Sequence, residues 1–149
     1  MAMEVTLAEV KPLVIDVLKA SLVPNLLSSP GVGKSDLARL IAALFNLKLI
    51  DLRLSYCDPA DLNGFPFILN PNAEKIKAGY VPMELFPIEG DPLPVKTWKV
   101  NPKNGLREPD TYYDGWLLLC DELNSAPQSV QAASYKLILD RYVGMHKLH

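Results

Sequence analysis

The chain of 149 residues has the length of one domain, and 49% hydrophobic residues exclude an intrinsically disordered protein. A net charge of −2 at pH 7 offers no broad cationic surface for nucleic acid, although a local basic patch stays open. Two cysteines, Cys57 and Cys120, lack Cys-x-x-Cys spacing, which excludes a disulfide framework and argues against a zinc site. They suit a reducing compartment, and Cys120, inside an apolar run, reads as a small buried residue. The opening MAMEVTLAEV has no basic region followed by an apolar one, so no signal peptide is expected. No apolar run reaches membrane-spanning length. A cytoplasmic protein without membrane contact is the expectation.

In chain order, residues 6–20 carry Leu7, Val10, Val14, Val17 and Leu18 at helical spacing. Thr6 with Glu9 resembles a capping box, and Pro12 predicts a kink or a late start. LVPNLLS, ending at Ser28, reads as a short buried strand. Lys34 to Phe45 reads as a helix with Leu37, Leu40, Ile41 and Leu44 on one face. Residues 47–54, LKLIDLRL, alternate as a second strand. Nine of the 13 prolines then lie between Pro59 and Pro109, which predicts loops and short hairpins. FPFILN and EKIKAGYV can pair around Asn70-Pro71-Asn72, and residues 88–110 read as an exposed insertion. GWLLLCDE, residues 115–122, reads as a central parallel strand covered on both faces. Residues 127–141 read as a helix with Ser125 as a cap and Pro127 in its first turn. The order predicts an α/β fold with a parallel sheet.

Two stretches carry chemistry. Residues 28–35, SSPGVGKS, follow an apolar strand and open an amphipathic helix. Gly31 and Gly33 let the backbone curl so that successive amides face an anion, and the helix dipole favours negative charge there. Lys34 would reach the outer phosphates, and the Ser35 hydroxyl would sit on Mg2+. Ser29, Pro30, Gly31, Val32, Gly33, Lys34, Ser35 and Asp36 are therefore the candidate nucleotide-binding residues. Ser28 stands where the phosphate-loop pattern has its first glycine, and a shifted turn follows if it needs a positive φ. The competing reading is a glycine-rich turn joining strand to helix.

The second stretch is LLLCDE. Asp121, at the end of a buried strand, can hold Mg2+, and Glu122 can orient and polarise an attacking water. Alone, the two acids read equally well as caps of the next helix. A small-molecule kinase needs no water-activating Glu after its metal acid, and the Asn-Lys-x-Asp guanine motif of GTPases does not occur.

Together these stretches resemble the AAA+ ATPases, and within them the MoxR-like branch. SSPGVGKSDLARLIA is similar to the phosphate loop (Walker A) and its helix. DLRLSYCDPADLNGFP, residues 51–66, is similar to the segment after the second strand. LLLCDELNSAPQSVQAASYKLILDR is similar to the metal-binding strand (Walker B) and the helix after it. The three blocks cover about half of the chain. The resemblance implies a P-loop NTPase-type parallel sheet flanked by helices, a partial AAA+ core over residues 1–149, with an irregular insertion at about 65–114. It implies ATP, Mg2+-dependent hydrolysis with Glu122 and Lys34 as catalytic residues, and Ser35 and Asp121 as metal ligands. It also implies a homo-oligomeric ring, usually a hexamer, with an arginine finger supplied by a neighbour. A protein substrate, a remodelling or maturation role and a von Willebrand factor A domain partner belong to the same expectation. The family pattern continues with a sensor strand, an arginine finger and a helical lid, so a chain ending at His149 reads as a truncated module. A binding module that holds nucleotide or only a partner, with negligible turnover, is the alternative, and a P-loop kinase the third.

Lesser features have plainer readings. Asn124, in the family pattern, positions water, faces a neighbour or is a turn residue. Asp58 and Asp61 read as caps of a short helix rather than partner contacts. His146 and His149 are a poor metal pair. Trp98 and Trp116 read as packing residues, Arg53 and Arg141 as surface charges, and Lys96, Lys99 and Lys103 as a solvated basic cluster with no clear nucleic-acid role.

Overall fold

The computed structural model describes residues 6–29, 31–72 and 74–149. They fall into two units, one made of residues 1–51 and 93–119, the other of 52–92 and 120–149.

In the first unit, the Glu9 carboxylate accepts from the Thr6 backbone N–H at 2.8 Å and from the Thr6 hydroxyl at 2.7 Å. This starts α1 (Leu7–Lys19) as the capping pattern predicts. Pro12 lies inside α1 without delaying its start, because a proline there removes one donor and leaves the flanking ladder to hold the helix. α2 (Lys34–Leu44) buries Leu37, Ala38, Ile41 and Ala42. Leu40 and Leu44, expected on that face, are exposed. The buried stripe is turned toward the two alanines, whose small side chains suit close packing. Val14, Leu37 and Ile41 form the core, with Val10, Ile15, Leu18, Leu26, Phe45 and Leu117 packed against it.

β1 (Leu47–Arg53) and β6 (Gly115–Asp121) form a two-stranded parallel sheet. Asn46 sets their common starting level. It takes a positive φ of 51°, accepts the Asp114 N–H at 2.9 Å, and donates to the Tyr112 carbonyl at 3.3 Å and the Asp114 carboxylate at 3.1 Å. Two sequence expectations change here. β6 pairs with β1 alone among the described residues and is half-buried along its length, so it is not a central strand covered on both faces. Residues 22–29 take no strand pairing, and Leu27 is 72% exposed. Pro24 carries no N–H for a ladder, and an apolar run becomes a strand only against a partner backbone. The described residues thus form a mixed α/β fold with one parallel strand pair and small antiparallel sheets.

The proline-rich stretch forms loops and short hairpins, as its composition predicts. β4 (Val95–Val100) and β5 (Arg107–Tyr112) form an antiparallel hairpin within the expected insertion, with Trp98 opposite Pro109 and Val100 opposite Arg107. Trp98 is exposed there and does not serve as a packing residue.

In the second unit, α3 (Pro59–Asn63) starts at Asp58, whose N–H donates to the Asp61 carboxylate at 2.8 Å, so these acids do cap a short helix. β2 (Phe65–Leu69) and β3 (Lys77–Val81) pair antiparallel as the sequence predicts, from Phe65 opposite Val81 to Leu69 opposite Lys77. α4 (Gln128–Tyr135) runs into a π-helical turn, Lys136–Asp140, which Arg141 ends with a left-handed φ of 60°. Pro127 is the N-cap of α4, while Ser125 lies in a preceding 3-10 turn, so neither has the expected place. Proline fits that position because its fixed φ and missing N–H cost nothing before the first turn. β7 (Tyr142–Val143) and β8 (His146–Lys147) close the chain as a short hairpin turned at Gly144. Leu52, Leu54, Leu62, Phe86, Ala126, Val130, Leu137 and Val143 are the buried apolar residues of this unit, with Ser134 satisfied by the Gln131 carbonyl at 2.7 Å. No helix among the described residues is long and apolar enough to cross a membrane.

Candidate functional site

The glycine loop is built by two left-handed residues. Gly31 has φ 80° and Gly33 φ 93°, a region L side chains avoid. Ser28 is not among the positive-φ residues, so its replacement of the usual glycine needs no strained backbone. Its hydroxyl donates to the Ser29 carbonyl at 3.3 Å. Pro30 lies outside the described residues, and Val32 is exposed. Gly33 is the N-cap of α2, and the Leu37 N–H donates to its carbonyl at 2.9 Å. The amides of Lys34, Ser35 and Asp36 precede that first bond and so belong to the helix's unpaired N-terminal donors. Lys34 and Ser35 are half-buried. Asp36 is exposed and pairs with Arg39 at 2.7 Å, a surface pair on the helix flank that contributes little to stability. A curled pair of glycines feeds an eleven-residue helix with a lysine in its first turn, an arrangement whose free amides and dipole favour negative charge.

The acidic pair lies at the other unit's end of β6. Asp121 is its last residue, and Glu122 follows with a left-handed φ of 58°. The Glu122 N–H donates to Asp121 Oδ1 at 2.8 Å, which anchors the Asp121 carboxylate. The Ser55 hydroxyl donates to Glu122 Oε2. Neither acid caps α4, whose N-cap is Pro127; Glu122 instead stands at the N-cap of the 3-10 turn Leu123–Ser125, without a side-chain capping bond. Asn124 is exposed in the 3-10 turn Leu123–Ser125. The glycine loop belongs to one unit and the acids with Ser55 to the other.

Ser55 was not singled out by sequence reasoning. Its signal is a hydroxyl directly after an alternating strand, in RLSYCDP, where the chain leaves β1 for a 3-10 turn. Their surroundings make the nearby thiols weak nucleophiles. Burial pushes the Cys120 thiol up to about 11, with Cys57 adding to it. Burial, then Asp61 and Asp58, also raises Cys57, whose thiol donates to the Arg53 carbonyl at 3.4 Å. A thiol raised in this way stays protonated and unreactive near neutrality. His146 Nε2 pairs with the Tyr80 carbonyl at 2.8 Å. Among the described residues no three His, Cys, Asp or Glu side chains gather as a metal site.

No family model matches the chain, and neither do curated proteins or solved structures.

Proposed function

We propose that the chain is the ATP-binding, Mg2+-dependent ATPase module of a MoxR-like AAA+ remodelling or maturation factor. The observation that carries this reading is the Gly31–Gly33 turn, both residues at positive φ, leading into α2 with Lys34 and Ser35 as its first residues. The loop amides and Lys34 bind and orient the phosphates, and Lys34 offsets their charge. The Ser35 hydroxyl and the Asp121 carboxylate are hard oxygen donors of the kind Mg2+ takes. Mg2+ held by such donors would supply positive charge against the outer phosphates. Glu122 accepts a proton from, and orients, the attacking water. Asn124 either positions that water or meets a neighbouring subunit. The wider parallel sheet, the hexameric ring, a neighbour's arginine finger, the von Willebrand factor A domain partner, the protein substrate and the cytoplasmic location belong to the same proposal and rest on the family resemblance.

A second reading, nucleotide binding with negligible turnover, is favoured by one observation. The Ser55 hydroxyl engages an oxygen of Glu122, the carboxylate that would handle the water.

Nucleotide binding and ATP turnover on the full chain test both readings. Lys34→Ala abolishes binding, whereas Glu122→Gln keeps binding and removes turnover. Binding that survives Lys34→Ala overturns the phosphate-loop assignment. Binding with no turnover in the unmodified chain selects the second reading.

A further inference from the structure

The β4–β5 hairpin has two unlike faces. On one, Lys99 lies opposite Glu108 and reaches Glu108 at 3.9 Å and Asp110 at 3.5 Å, while the Thr97 hydroxyl reaches Asp110 at 3.4 Å. On that face the one lysine is engaged by two carboxylates and leaves no free cation among the described residues. The alternate pairs, Trp98 with Pro109 and Val100 with Arg107, stand on the other face. Trp98 is 55% exposed, Val100 62% and Leu106, beside Arg107, 65%. Arg107, and Lys103 in the turn, form no ion pair among the described residues. Residues 95–112 hold three Lys and one Arg against one Glu and one Asp, a local charge of +2 in a chain of −2.

We propose that this face docks an extended acidic segment of a partner protein, one in which carboxylates alternate with aliphatic side chains. Trp98, Pro109 and Val100 offer a flat apolar strip for the aliphatic side chains. Arg107 takes a carboxylate in its planar fork, and Lys103 adds a point charge at the hairpin tip. The hairpin is a two-stranded sheet, so its strands keep outer edges on which an extended segment can add as a further strand. A peptide suits the surface better than nucleic acid. Successive bases need a continuous cationic track, whereas this hairpin, with Trp98 and Tyr112 as its exposed aromatics, carries Glu108 and Asp110 on its reverse. The proposal is independent of the nucleotide reading.

Fluorescence anisotropy on the full chain tests it with three labelled probes: an alternating Glu/Val peptide, the same peptide with Lys for Glu, and a single-stranded oligothymidylate. The acidic peptide binds best. Arg107→Glu weakens it about tenfold, a change of about 1.4 kcal/mol, and Trp98→Ala weakens it similarly. Lys75→Glu, the same charge change on the other hairpin, leaves it within about twofold. Arg107→Gln gives an intermediate loss without adding a negative charge to the hairpin. Preference for the oligothymidylate, no binding of the acidic peptide, or acidic-peptide binding indifferent to Arg107→Glu and Arg107→Gln each overturns the proposal.

Discussion

Gly33→Ala is the sharpest probe of the glycine loop. Gly33 sits at φ 93° and ψ 23°, beyond the centre of the left-handed region. Placing an L residue there costs about 1–2 kcal/mol in backbone energy alone. The new Cβ would meet Leu7 Cδ1 at 3.3 Å, a tight contact with the flexible end of a side chain, which adds only tenths. The sum stays at about 1–2 kcal/mol, or a fall in melting temperature of about 2–8 °C for a chain of this size. Gly31→Ala separates the two contributions, because its Cβ meets nothing within 4 Å at φ 80°. Gly33→Asn completes the series, since Asn tolerates left-handed backbone better than Ala. Thermal unfolding by circular dichroism, run beside titration of a fluorescent ATP analogue, reads both consequences. The expected order of stability is wild type, then Asn, then Ala at residue 33, with nucleotide affinity falling in the same order. A Gly33→Ala protein that melts with the wild type and binds nucleotide equally well would refute the claim that this turn requires glycine.

Four further outcomes follow from the same reasoning. Ser55→Ala releases the Glu122 carboxylate from its hydroxyl partner; turnover rises by a few-fold while nucleotide affinity stays unchanged, as steady-state kinetics with equilibrium binding will show. Ile41→Ala, at a residue 2% exposed in the core of the first unit, costs about 2–5 kcal/mol in chemical denaturation. Cys120 has a folded value of about 11 against an ordinary 9.0, so burial favours the neutral thiol; its contribution of about 2–3 kcal/mol is complete below pH 9.0 and lost as pH rises toward 11. Cys120→Ala flattens that alkaline loss in denaturant melts. Glu9, whose carboxyl the Thr6 bonds hold below the usual 4.5, acts in the opposite direction: it supports the start of α1 above that value and releases it as pH falls through the lowered one. Amide exchange of the first turn of α1 will report that release, and Glu9→Gln removes its pH dependence.

Local rules account for most of what was legible in the sequence. Capping at Thr6–Glu9 and Asp58–Asp61, the helix after Gly33 and the hairpin around Asn70-Pro71-Asn72 each depend on neighbours a few residues apart. The misses need distant partners. Whether residues 22–28 form a strand depends on which backbone lies beside them, and no periodicity encodes that. Leu40 and Leu44 were placed by counting apolar residues, whereas the buried stripe of α2 follows two alanines that a hydropathy pattern underrates. At the candidate site the phosphate-loop residues were readable because glycines, lysine and serine act within one turn. Ser55 was not, since its role appears only when Glu122 arrives from 67 residues away.

The division into 1–51 with 93–119 and 52–92 with 120–149 has a consequence for synthesis. The chain changes unit at 51/52, at 92/93 and at 119/120, so neither unit is a continuous stretch. A growing polypeptide emerging from the ribosome cannot finish the first unit until residue 119 is out, and the second must wait for Val143, which is wholly buried, and its neighbours. Until then Leu54, Leu62 and Phe86, all buried in the finished fold, lack the later residues of their unit. The nascent chain therefore carries these apolar side chains uncovered while residues 87–143 are made, on the order of several seconds at the usual elongation rate, and that interval is when a holding chaperone would find them.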